Sequence, residues 1–163
     1  MSREKFFADE TEIANFIKSL STKISELGLT PEQVYNADET GLNCHQLLTK
    51  TFVIRDEKKV SGRRLLNERI TLMVCSNGAG SHKLKLLVVG QSKNPRAFKN
   101  TKIENLPVVY MNQSQAWMTQ EICIDWLKNK FVKEVKQHLR AKKLPLKALL
   151  LLIMLPGIQT PMT

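Results

Sequence analysis

The 163 residues contain no apolar run near the length of a bilayer crossing; the longest, Ala148 to Leu155, is short. The start, Met1-Ser2-Arg3-Glu4-Lys5, has no apolar stretch followed by small residues, so no secretory leader is read there and a reducing compartment is expected. Only three cysteines are present, Cys44, Cys75 and Cys123, too widely spaced for a disulfide framework or a zinc site. They read as buried small hydrophobes. Aromatic residues are scarce at 6%, and Gly78-x-Gly80 is too short for a phosphate loop.

Acidic side chains are also scarce. There are 15 against 25 Lys and Arg, a formal charge of +10. The excess is uneven: residues 1–50 hold 5 basic and 8 acidic side chains, and the rest hold 20 and 7. Cations concentrate in 55–69, 83–102 and 128–147, a distribution that suits a surface for phosphate backbones. Lys-rich faces are also ordinary solvated surface, so charge alone leaves both readings open. A membrane surface fits less well, because the cations are spread over several elements.

The apolar residues give the elements. Ile13, Phe16, Ile17, Leu20, Ile24 and Leu27 recur at helical spacing behind an Asp9–Glu12 capping box, and Gly28 closes that helix. Thr30-Pro31-Glu32 starts a turn, and residues 33–38 read as a strand. Residues 51–55 predict a short strand. The runs 69–76 and 83–90, joined by Asn77-Gly78-Ala79-Gly80, predict a hairpin, and 108–111 a further strand. From 119 to 140, Cys123, Leu127, Phe131, Val135 and Leu139 fall every four residues along an amphipathic helix. Residues 147–152 then read as a central parallel strand buried on both faces, lying beside the first. Cys44-His45 has no partner ligand at useful spacing, His82 and His138 read as surface residues, and Trp117 and Trp126 as core or partner-facing.

Val34-Tyr35-Asn36-Ala37-Asp38-Glu39-Thr40-Gly41-Leu42 resembles the first catalytic motif of the DDE endonuclease domain of pogo-type transposases and the Tigger and jerky proteins derived from them. Glu68 to Leu72, Lys83 to Leu87, Ser92 to Asn100, Leu106 to Val108 and Ala116 to Thr119 resemble further family blocks in the same order. The segment 43–48 departs from the family pattern. The resemblance implies an α/β fold: an incomplete ribonuclease-H-like mixed sheet, antiparallel hairpin plus parallel buried strand, with an N-terminal helix and one long crossover helix. The expected organisation is a helical segment 1–29, a partial endonuclease domain 30–152 and a divergent tail 153–163.

The resemblance also implies nuclear location and an ancestral Mg²⁺-dependent DNA cutting activity, with Asp38 as first metal-binding acid at a strand end. Glu39 would point to the opposite side and act structurally. The family's second acid opens an Asp-Asn-Ala-Pro-Gly-His sequence, where this chain has Ile153-Met154-Leu155-Pro156-Gly157-Ile158. Ile153 has no oxygen for a cation, and the third acid would fall beyond Thr163. The expectation is therefore an inactive, truncated domain with no functional cofactor. Codons for Leu152 to Gln159 read one base earlier can spell the family sequence, so a frameshift just before Ile153 is the hypothesis; other codons in the gene would sink it. Weak nonspecific DNA binding is expected, with Arg63, Arg64, Lys93, Arg96 and Lys99 as candidate contacts. A docking module for a nuclear protein partner is the alternative, and no membrane partner is expected.

Overall fold

The computed structural model describes residues 10–44 and 68–152. Asp9, the expected strand at 51–55, His45, Arg63, Arg64 and Ile153 lie outside the described residues. The order of elements is helix α1 (Glu10–Leu27), strands β1 (Val34–Cys44), β2 (Glu68–Asn77), β3 (Leu87–Gly90) and β4 (Val109–Asn112), helices α2 (Gln120–Trp126) and α3 (Val132–Ala141), and strand β5 (Leu149–Leu152). The strands form one mixed sheet in the order β4-β3-β2-β1-β5. β1 is antiparallel to β2 and parallel to β5, β2 is antiparallel to β3, and β3 is parallel to β4. This is the expected α/β architecture, in partial form.

Burial alternates along the two long strands, as the pleat requires. Tyr35, Ala37, Met73 and Cys75 are buried, whereas Asn36, Asp38, Thr40 and Val74 are exposed. The buried set packs with Leu87, Val89, Val109, Trp126, Phe131, Val135 and Leu139, so α2 and α3 cover one face of the sheet. The other face is bare among the described residues. α1 is also exposed along Ile13, Phe16 and Ile17, and it ends in Gly28 at φ +61.

The helical segment is not one α-helix. A π turn at Leu127–Phe131 joins α2 to α3. Four-residue spacing advances about 40° past each α-helical turn, so an unbroken α-helix would carry Leu139 about 160° away from Cys123. The wider π turn takes up the drift. Trp126, Phe131, Val135 and Leu139 therefore stay in one core, and Cys123 stays buried. Thr119 caps the start, its side chain accepting from the Ile122 amide.

Four expectations need correction. β1 runs on to Cys44 instead of stopping near Asp38, because its antiparallel ladder with β2 continues from Tyr35↔Asn77 to Cys44↔Glu68. Gly41 makes room there: a Cβ on it would meet the Arg69 guanidinium at 2.7 Å, and that group stacks 4.6 Å from the centre of the Trp117 ring. β3 begins at Leu87; the pairing slips by one residue between the Ser76↔Lys83 bridge and the Met73↔Leu87 pair, a bulge that breaks the expected strand from Lys83. β4 begins and ends one residue later than expected. β5 is parallel to β1 as expected; among the described residues it lies at the end of the sheet and is half-buried, not buried on both faces. Leu150 and Leu152 pack on the core, while Leu149 and Leu151 lie over the bare face beside Val34 and Asn36.

Candidate functional site

Asp38 lies on the bare face, in the middle of β1 and not at its end. Across the sheet it pairs with Val74 on β2, and the parallel ladder with β5 is described as far as Ala37↔Leu152, one residue short of Asp38. Its Oδ1 accepts the Glu39 amide at 2.8 Å. Glu39 falls on the other face, where burial raises its carboxyl above the usual range, against the pull of Arg69. The two neighbouring carboxylates are thus held on opposite sides of the sheet. Among the described residues no group of three or more His, Cys, Asp or Glu could hold a metal ion. The oxygens described around Asp38 do not make up a Mg²⁺ site.

The cations occupy other places. Lys93, Arg96 and Lys99 are exposed on the β3–β4 connection, with Arg96 and Lys99 on the rim of a hollow of about 350 Å³. β4 lies three strands from β1, or about 14 Å at ordinary strand spacing. A second group was legible only as composition: Lys133, Lys136 and Arg140 form an exposed stripe along α3, at helical spacing. α3 covers the face opposite Asp38. The structure therefore brings neither set of cations to the acid.

Two further features were not singled out by any spacing. Gln33 is 2% exposed; its Oε1 accepts from the Thr30 amide and hydroxyl, and its Nε2 donates to the Pro145 and Lys147 carbonyls. It ties the entry of β1 to the entry of β5. Glu32 accepts from Ser81, Asn77, His138 and Lys142. These bonds, from Ser81 above all and then from His138, bring its carboxyl down to about 2. His138 and His82 are half-buried partners in this cluster, not the free surface residues expected. Trp126 is core at 1% exposure, whereas Trp117 is 48% exposed. Cys75 and Cys123 are buried, as expected, and burial pushes the Cys75 thiol up to about 12.

On the bare face, a groove of about 540 Å³ runs along Val34, Asn36, Val74, Leu86 and Leu151. No helix among the described residues is long and apolar enough to cross a membrane.

A mixed five-stranded sheet with helices on one face makes this an α/β domain in partial form. Residues 67–162 match the family described as DDE superfamily endonuclease, and the chain belongs to that family. The chain is 42% identical to human Jerky protein homolog and 39% identical to mouse Jerky protein, each over 93% of its length. It is 33% identical to human Tigger transposable element-derived protein 7 over 87% of its length. It spans only 27%, 27% and 26% of those relatives. Asp38 precedes the family match, although an alignment over 93% of the chain must take it in. No solved structure matches the chain.

Proposed function

We propose that this transposase-derived domain does not cut DNA and holds nucleic acid, weakly and without sequence preference, through a basic surface, in the nucleus. The observation that carries this reading is the separation of charges. Asp38 faces Val74 on the bare side of the sheet, and the cationic stripe of α3 lies on the other side. A duplex on α3 would not present its phosphates to Asp38. Ile153, where the family's second acid would stand, offers hydrocarbon in place of a metal-binding oxygen.

The test is binding to a random duplex at rising salt. Each phosphate contact contributes about 0.9 to the slope of log K against log salt. Replacing Lys133, Lys136 and Arg140 by Ala should lower the slope by about 3 at most. Mg²⁺-dependent nicking that disappears in Asp38→Ala would overturn the reading of inactivity. The groove along Val34, Val74 and Leu151 favours a second reading, a docking module for another protein. A salt response that is flat from the outset would favour it.

A further inference from the structure

Away from Asp38, the β2–β3 turn meets the last turns of α3 through two imidazoles. The rings of His82 and His138 are stacked, with centroids 4.2 Å apart and planes within 4°. Each is held by a different partner. His138 Nε2 lies 2.9 Å from Glu32 Oε2, and a carboxylate can only accept, so this nitrogen donates. His82 Nδ1 lies 2.9 Å from the hydroxyl of the fully buried Tyr35. Burial pushes that phenol up to about 12, so its O–H keeps its proton and needs an acceptor. The lone pair on Nδ1 of a neutral His82 supplies one.

The backbone around the pair is pinned. Asn77 accepts the His82 amide with its Oδ1, the Gly78 amide donates to the Val34 carbonyl, and the Ala79 amide donates to the Pro31 carbonyl. The turn that carries His82 is therefore fixed against the start of β1. The groups facing it are Tyr35 from β1, His138 and Glu134 from α3, and Glu32 from the turn before β1, with Lys142 beyond Glu32. Glu134 and Glu32 favour a charge on His82; burial and His138 oppose it, and burial is the largest influence, so His82 sits below its ordinary 6.5.

We propose that the His82–His138 stack is an acid-sensitive lock between the β2–β3 turn and the C-terminal turns of α3, closed while His82 is neutral and opened when it takes up a proton. A proton on Nδ1 removes the acceptor that Tyr35 uses and sets a cation over the second ring. The sign is fixed by linkage. The lock contributes fully above pH 6.5, and its contribution falls as the pH drops from 6.5 through the lower folded value. Opening would release the end of α3 that carries Lys136 and Arg140.

Thermal unfolding of the full chain at pH 7.5 and 5.5, beside an NMR titration of the histidine rings, tests this. The native chain should melt several degrees lower at pH 5.5, with uptake of up to about one proton on unfolding. His82→Gln, which keeps an acceptor for Tyr35 but cannot be charged, should show no such loss. The His82 ring should titrate below 6.5. The proposal is overturned by a native chain that melts alike at both pH values, by an equal loss in His82→Gln, or by a His82 ring titrating at or above 6.5. Should His82→Gln not fold, the ring titration of the native chain decides alone.

Discussion

Asp38 stands directly opposite Val74 across the β1–β2 ladder, on the face that neither α2 nor α3 covers. A carboxylate opposite an isopropyl group leaves a place across the ladder where a second carboxylate can be introduced. Directly opposed Cβ atoms lie about 5 Å apart, close enough for two carboxylates to share a divalent ion. Val74→Asp should lower the melting temperature in chelator through like-charge repulsion, and Mg²⁺ should restore it. The native chain and Asp38→Asn/Val74→Asp should show no Mg²⁺ response in the same melts.

Gln33→Leu should cost about 1 kcal/mol, because it removes part-buried hydrogen bonds to Thr30 and to the Pro145 and Lys147 carbonyls. Denaturant unfolding measures this. An unchanged midpoint would mean that water replaces the amide.

The π turn predicts an unusual tolerance. Asn129 lies inside it, exposed, bonded to Asp125 at 2.6 Å. Deleting Asn129 should convert the turn to α-helix and leave both flanking faces in register with the sheet. Deleting Lys136 should rotate Leu139 about 100° out of the core. Cooperative melting of the first variant, and its loss in the second, is the expected outcome by circular dichroism.

Gly90→Ala should destabilise by about 1–3 kcal/mol, because the new methyl group would overlap the Tyr110 hydroxyl. That hydroxyl donates to the Ser92 carbonyl at 2.6 Å. If the clash is the cause, the cost should shrink in a Tyr110→Ala background, and a double-mutant cycle reads the difference.

Below the range of the histidines, Glu32 should govern acid stability. Its carboxyl is held near 2 against an ordinary 4.5, so its contribution is present above pH 4.5 and is lost as the pH falls toward 2. Glu32→Gln should flatten the pH dependence of unfolding in that window. An unaltered acid limb would assign it to other carboxylates.

Much of this architecture was legible from patterns. The Asn77 to Gly80 turn announced the hairpin, and the four-residue period announced the helix over the sheet. The same period concealed the π turn, since a spacing of four reads as helix whichever turn absorbs the drift. The Leu run of β5 predicted burial on both faces, but a run of one residue type carries no alternation to say which face is covered. β1 extends beyond Asp38 because the ladder with β2 holds Glu39, Thr40 and Gly41 extended, a pairing with no signal in those three residues themselves. Asp38 was located by resemblance, and its surroundings needed the fold. Gln33, Glu32 and the two histidines were invisible as a group. Their long-range contacts span 47 to 114 residues, and no local spacing encodes those.

The parallel pairing of β1 with β5 also dictates an order of events during synthesis. Residues 34–37 find their neighbour only after residue 152 has left the ribosome, and the amide of Gln33 waits for carbonyls more than a hundred positions away. Closing so distant a contact is slow. Until it closes, the nascent chain exposes an open strand beside a half-formed core, and chaperones would meet it in that state.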